Sequence, residues 1–580
     1  LKTAWPNIFV LIFLLAVTTV AAADQIRVTA TLDDSTHTVT GRLSTIVSDL
    51  SPELRQLHFR LYPNRFCDST DTTGTGCGLV VDSLFINGAN RISEATVAGT
   101  DLALPILYED LTDRELAIES YFTLKLPHDR ERFGYRENHY ALEAWLPVPA
   151  PRDDTGWLVI DYSNPTVEPV GDPVDFDVSL TVPSRYAVIA PGLLDSTVVD
   201  SLTTYRLTIR DAAHVPIVVA TGYESDTKTT GSIAHTVYYK PEAAYAVDSI
   251  QAWIGYTLEY MNAHVYPFPK DELIVVVGAL AAGGGLEHPQ MIWLNKLFPV
   301  SPLYSPRMVV VHEVIHEWFF YLVNSNQASE PWLDESVTEY FTLKVLKAMS
   351  SGSGHLLNYF GMSASYDLQH RMASDRLFAY HRIDVPAADI AERDLFPIVY
   401  AKGAQVMATL TGQMAGTEDQ FWHTWVERNL YRRPDAAMFY ELAESFTRGS
   451  QPDRAKALLT VLNRPDYRVE EIISKQNESG IDTPADSNAV YKNTVRLAVS
   501  NAISFTVDLT MELGTGKVTV TRETEQKLVG VIIDPNNSIV IDDNYFNNSL
   551  FPESVNSADQ RIMSVLTFLV ESIYSILWGI

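Results

Sequence analysis

MVVVHEVIHEWFFYLVNSNQASEPWLDESVTEYF, residues 308–341, is the stretch around which the rest of the chain is organised. His312 and His316 stand four apart in an apolar run, so on a helix both imidazoles leave from one face, one turn apart. Two imidazoles so placed can hold a divalent metal ion. Glu313 follows the first histidine and points to the side of that face, where a carboxylate reaches a metal-bound water without being a ligand. It is the candidate general base. Catalytic zinc takes three protein ligands and keeps its fourth position for water. Glu335, separated from His316 by eighteen residues, supplies the third. Pro331 and Trp332 end the intervening loop, and Asp334 is placed to cap a second helix. Two antiparallel helices joined by the polar loop 324–330 bring Glu335 opposite the histidine pair. Alone, the HExxH string also fits a hydrogen-bonded histidine pair on a core helix. The acidic residue at this distance, on its own helix, favours the metal.

HEVIHEW, the gap, and WLDES resemble the gluzincin zinc aminopeptidases related to aminopeptidase N, whose pattern is HExxH followed after eighteen residues by Glu in WLxE. The resemblance implies His312, His316 and Glu335 as ligands of one Zn²⁺ per chain and Glu313 as base. The family's usual Gly after the ligand Glu is Ser336 here, a change the helix is expected to tolerate. Upstream, GGLEH resembles the family's GxMEN motif, an edge strand that pairs with a bound peptide while its Glu receives the free ammonium. That implies Gly284, Gly285 and Glu287 as the substrate-binding set; Leu286 replaces Met and His288 replaces Asn. Without the resemblance, the same segment reads as a flexible glycine loop entering an edge strand with a solvated Glu287. VYAKGA resembles the family's YxKGA segment, whose tyrosine hydroxyl faces the zinc across the cleft, and so implies Tyr400 as oxyanion donor. Glu339, one turn after Glu335, reads either as a carboxylate that orients a ligand histidine or as a surface group.

The chain has 580 residues, enough for three or four domains, with ordinary apolar (46%) and charged (20%) content. A formal charge of -29 excludes the basic footprint that nucleic-acid binding needs. Lys2, the apolar run 8–20, and Ala21, Ala22 and Ala23 before Asp24 read as a secretory signal peptide, with an uncleaved anchor as the competing reading. The two cysteines, Cys67 and Cys77, flank a Gly/Thr/Asp-rich loop and in an exported chain are expected to form a local disulfide.

Residues 24–222 read as β-structure. IRVTATL, LHFRLYP, LVVDSLFI, FTLKLP, FDVSLTVP and TTYRLTIR alternate and are separated by turn residues. LHFRLYPN and FINGAN resemble the family's N-terminal sheet domain, a sandwich or saddle that walls the cleft and lends a side chain to the substrate amine; Glu143 is a candidate for that residue. A polar stretch at 227–231 marks a boundary. Residues 223–465 then read as a thermolysin-like α/β zinc domain with a helical extension, the region 344–475 being mainly helical. Residues 466–552 return to strand patterns, a small β-sandwich in which IIDPNNSIVIDDNYFNNS matches the family. In the last segment, 553–580, Ser564, Thr567, Glu571 and Ser575 share a narrow stripe of an otherwise apolar helix. It is expected to dock on the body of the protein or to lie on a membrane surface.

The expected fold is therefore multidomain α+β. The implied activity is zinc-dependent removal of N-terminal residues from peptides with a free amine. The rivals are an endopeptidase of thermolysin type, a catalytically silent binding or scaffolding protein on the same fold, and a hydrolase of small non-peptide substrates.

Overall fold

A computed structural model describes residues 25–462 except 68–75, 112, 129–131, 154–155, 163–167, 281–283, 296–305, 351–354, 360–361, 376, 379, 415 and 448–453. Beyond that it describes 466–476, 491–500, 505–507, 511–513, 516–524, 531–532, 541 and 549–550. The expected signal segment and the segment 553–580 lie outside the described residues.

Alternation builds the first part of the chain. In the strand Gln25–Asp33 the side chains of Ile26, Val28, Ala30 and Leu32 are buried and those between them face outward, the period-two pattern of a sheet with one covered face. This strand runs parallel to Val174–Pro183 and antiparallel to Thr38–Val47 within an eight-stranded sheet. Two four-stranded sheets, containing Gln56–Arg60 and His139–Leu142, pack on it through one core that joins Leu57, Phe122, Trp145 and Ile217 to the strand Gln25–Asp33. A Cys67–Cys77 disulfide closes the loop between the strands Gln56–Arg60 and Gly78–Ile86.

A five-stranded sheet follows. The polar stretch 227–231 overlaps Glu224–Thr230, the outer strand of this sheet, paired antiparallel with Ile233–Tyr239. Its threonines and charges suit a strand exposed on most of its length. Helix α1, Ala244–His264, makes the crossover to the parallel strand Glu272–Val277, burying Val247, Ile250, Ile254, Leu258 and Met261 at helical spacing. Met291–Leu294 is next in the sheet, and Gly285–His288 lies antiparallel on its far side as the edge strand. The hairpin between them turns through Pro289 and Gln290, the latter with φ +57°.

Helix α2, Pro306–His316, ends in a wide turn over Glu317–Leu322, where Val323 N–H donates to the Trp318 carbonyl. Every side chain of that turn is buried, so the helix ends in the core. Helix α3, Glu335–Met349, returns against it. Among the described residues the region 344–475 is mainly helical, as its spacing predicts. A hairpin, His355–Tyr359 with Met362–Ser365, interrupts the helices, and Asp466–Gln476 is already a strand. That strand, Tyr491–Ser500 and Gly516–Thr524 form a three-stranded antiparallel sheet. Ile541, from the same region, is buried in the core around the metal-site helices, and its N–H donates to Thr409 Oγ1 at 3.3 Å.

Candidate metal centre and substrate cleft

The α2–α3 pairing brings three lone pairs to one point. His312 Nε2 and His316 Nε2 lie 3.0 Å apart, and Glu335 Oε2 lies 3.2 Å from the first and 3.4 Å from the second. Zinc bonds of about 2.0–2.1 Å in tetrahedral array separate two ligand atoms by roughly 3.3 Å. The triangle has that size.

The other ring nitrogens decide which tautomer is present. His312 Nδ1 donates to Glu339 Oε2 at 2.8 Å, and His316 Nδ1 donates to Asp334 Oδ1 at 2.7 Å. With both protons committed there, the two Nε2 atoms and the carboxylate oxygen are acceptors facing one another, and only a cation satisfies all three. The donor set of two imidazoles and one carboxylate therefore fits a catalytic zinc with one open position.

These partners settle two readings. Glu339 is buried and bonded to a ligand histidine, not at the surface, and its second oxygen accepts from His370, whose Nδ1 donates to the Tyr366 carbonyl at 2.8 Å. Asp334 does not cap α3: its side chain makes no bond to the helix start and instead holds His316 and the Gln327 amide. An ionised carboxylate beside an imidazole N–H outweighs a single capping bond, so the residue turns inward.

Glu313 lies beside the triangle, buried, with Oε2 lacking a hydrogen-bond partner among the described residues. Burial pushes its carboxyl up to about 7, against the pull of His312 and His316. Gly285 explains how Glu313 fits. A Cβ at Gly285 would stand 2.4 Å from Glu313 Cγ and Oε1, so only glycine lets the edge strand pass this close. At Gly284 the same construction meets Val309 at 3.4 Å, an ordinary contact.

Strand alternation then sends Glu287 to the same face as Gly285. Its carboxylate comes within 4.8 Å of ligand atoms of Glu313 and His316, and burial drives its carboxyl well above the usual range. Leu286 and His288 point the other way. His288 packs edge-on against Trp293 and shares a 3.0 Å hydrogen bond with His214, which tethers the edge strand to the connection between Leu202–Ala212 and Ile217–Ala220 of the N-terminal sheets.

Tyr400 comes from a wide turn, Phe396–Lys402, that runs straight into the helix Gly403–Gly412. Its hydroxyl donates to Glu335 Oε1 at 2.5 Å. Beside that bond, Ser336 Oγ donates to the Val399 carbonyl at 2.5 Å, and Gly403 leaves room for the serine, since a Cβ there would lie 2.0 Å from Oγ. A serine at 336 is thus matched by a glycine at 403. Lys402 is buried and donates to the carbonyls of Phe378, His381 and Val461, locking the turn to its surroundings.

The resemblance points to a side chain from the N-terminal region and offers Glu143; sequence reasoning missed Glu168. Glu143 is buried, both its oxygens held at 2.9 Å by Arg132. Glu168 shares the same guanidinium and is less enclosed; burial raises its carboxyl to about 7, with the charges of Glu143 and Glu335 adding to the rise against Arg132. The charge of Glu168 also raises the Glu287 carboxyl. No local pattern around Glu168 signals this, because it acts through residues far off in the chain.

Residues 245–443 match the peptidase family M1 domain. Endoplasmic reticulum aminopeptidase 1 of Mus musculus is 24% identical over 235 residues, covering 38% of this chain and 24% of that protein. Probable aminopeptidase 2 of Sulfurisphaera tokodaii is 22% identical over 302 residues, 50% of this chain and 36% of that one. The chain thus spans a quarter to about a third of the length of these curated relatives. A crystal structure described as an M1 zinc metallopeptidase from Deinococcus radiodurans superposes with a TM-score of 0.55 at 14% identity, covering 76% of this chain and 94% of the other. A mutant of it bound to a Tyr-Ser-Ala substrate gives 0.52 at 15% identity, again over 76% and 94%. At such identity the structures share the mixed α and β fold, with a β-rich N-terminal region and a helical region beyond the metal-site helices. The stretch similar to the peptidase family M1 domain, residues 245–443, is the one that holds the HExxH helix and Glu335.

Proposed function

We propose that this protein is a zinc-dependent aminopeptidase that removes residues one at a time from the free N-terminus of peptides. One observation carries it: the 3.0, 3.2 and 3.4 Å triangle of two imidazole nitrogens and Glu335 Oε2, with both outer nitrogens already committed, lies between an unpaired base and an acidic socket. The donor chemistry, and the description of the superposed Deinococcus radiodurans structure as a zinc metallopeptidase, support zinc as the ion, held by His312, His316 and Glu335. Bound there, zinc supplies a Lewis acid and lowers the pKa of a coordinated water toward about 7.

The chain's own groups do the rest. Glu313, poised near neutrality, takes a proton from the attacking water and passes it to the departing amine. The Tyr400 hydroxyl, aimed at the ligand side of the triangle by its bond to Glu335, is placed to donate to the negative oxygen of the tetrahedral intermediate. Glu287 and Glu168 face the end of the cleft where a free ammonium would sit, and an internal peptide would leave these buried carboxylates unpaired. The edge strand Gly285–His288 offers its open side for backbone pairing. The acidic socket favours this reading over an endopeptidase.

Export is part of the proposal. It rests on the residue 2–24 pattern, and the Cys67–Cys77 disulfide supports it as a bond suited to an oxidising compartment. Peripheral contact with a membrane through residues 561–580 is proposed on the apolar sequence alone; recovery of all the protein from cells without detergent would refute it. Among the described residues no helix is long and apolar enough to cross a membrane.

Activity on a panel of free and N-acetylated peptides, with chelation and zinc add-back, tests the function. Free peptides should lose one residue at a time, acetylated ones should resist, and chelation should abolish the reaction until zinc is returned. Glu313→Gln should keep zinc and lose nearly all turnover. Cleavage of acetylated peptides at internal bonds would overturn the exopeptidase reading.

A further inference from the structure

The edge strand and α2 run side by side in the same direction. Gly284 lies against Val309, Gly285 against Glu313, Glu287 beside His316, and Gln290 N–H donates to Glu317 Oε2 at 3.1 Å. A peptide whose ammonium sits at Glu287 and whose scissile carbonyl sits at the triangle must therefore send its remaining residues toward Gly284 and Val309. At that end a cavity of about 310 Å³ opens beside His312 and Tyr400. Glu287, Glu168 and His316 are absent from its wall, which separates it from the amine socket.

The wall has a particular chemistry. Met308, Val309, Leu395 and Phe396 form an apolar floor, and Glu392 stands exposed at the mouth. The described lining carries three carboxylates and neither lysine nor arginine. Of these, Glu339 is bonded to His312 and His370, and Glu313 is the base of the proposed reaction. Glu392 has no hydrogen-bond or ion-pair partner among the described residues. A long side chain with a cationic end can lay its aliphatic stem on the floor and bring its charge to Glu392, whereas an acidic side chain meets the like charge of Glu392 at the mouth.

From this geometry we infer that the cavity receives the side chain of the peptide's second residue, and that Glu392 makes it select lysine or arginine over aspartate or glutamate at that position. The inference rests on the aminopeptidase reading above. Glu392 is solvent-exposed, so its contribution is modest and screened by salt. It amounts to a preference, not a requirement.

The test compares kcat/KM on tripeptides X-Lys-Ala, X-Leu-Ala and X-Glu-Ala, with X fixed at whichever residue the wild-type, zinc-loaded full chain removes fastest. At low salt we expect the lysine peptide to exceed the glutamate peptide by about tenfold, with the gap shrinking in about 0.5 M NaCl. Glu392→Lys should bring the ratio to unity or invert it, and Glu392→Gln should fall between. Exposure of Glu392 makes both variants compatible with folding. An unchanged Lys-to-Glu ratio in Glu392→Lys, with all three peptides still cleaved, overturns the pocket assignment and leaves the aminopeptidase reading intact. Failure of the wild type to cleave any of the tripeptides overturns both.

Discussion

Replacing Gly285 by alanine should slow the reaction without unfolding the protein or emptying its metal site. The new Cβ would stand 2.4 Å from Glu313 Cγ and Oε1 and 2.5 Å from Cδ, where ordinary contact begins at 3.4 Å, so something must move by 3.4 − 2.4 = 1.0 Å. All three atoms belong to the Glu313 side chain, which can rotate, and not to backbone. The carboxylate therefore yields and the strand stays. Gly285 has no left-handed backbone conformation to lose, and alanine in an extended strand costs little, so stability should change by less than about 1 kcal/mol. Displacing a proton-transfer group by about 1 Å costs on the order of 10² in rate, equivalent to about 2.7 kcal/mol of barrier. Steady-state kinetics, metal content by atomic absorption and a thermal melt would be read together. Expected are a hundredfold fall in kcat, one zinc per chain and an unshifted melt. Gly284→Ala, where the added carbon meets Val309 at 3.4 Å, serves as the control and should run at the wild-type rate. A Gly285→Ala enzyme with kcat within threefold of wild type would show that Glu313 does not need its observed position and would refute the reasoning.

Asp334→Asn removes the charge that holds His316 Nδ1–H, and should weaken zinc affinity by about 10–100-fold in a chelator titration; unchanged affinity would deny Asp334 its orienting role. Tyr400→Phe should lower kcat by roughly 10²–10³ with KM nearly constant, and a pure KM effect would contradict an oxyanion contact. The fold should also be acid-sensitive. Burial, with repulsion from Arg136 and Lys240, pushes buried His139 down to about 3 from an ordinary 6.5. Between these values the unfolded chain binds a proton that the folded chain refuses, so this share of stability is complete above pH 6.5 and is lost as pH falls toward 3. The slope is up to about 1.4 kcal/mol per pH unit. His139→Asn should flatten the acid limb of a denaturation series, and an unaltered limb would rule His139 out as its source.

Much of the centre could be read from spacing because its parts are local. His312, Glu313 and His316 share one helix, and a helix converts a gap of four into a common face without help from the rest of the fold. Gly285 and Glu287 are singled out only by the resemblance of GGLEH to the family motif; their own pattern reads as a glycine loop entering an edge strand with a solvated Glu287, and the structure buries that carboxylate. Strand alternation likewise marked the N-terminal sheets, since a one-sided core writes period two into the sequence. An error arose where local rules compete. Asp334 has the composition of a helix cap, yet a buried imidazole N–H nearby is a stronger partner for a carboxylate.

The sequence by itself determined which atoms could bind a divalent ion and on which faces of their elements they stand. Only the tertiary structure decided that Arg132 joins Glu143 to Glu168, that His370 backs Glu339, and that Ser336 is accommodated by Gly403. The physical reason is one of range. Periodicity records how a residue stands relative to its own element, whereas a charge, a close approach or a shared proton between distant segments leaves no mark until packing brings them together.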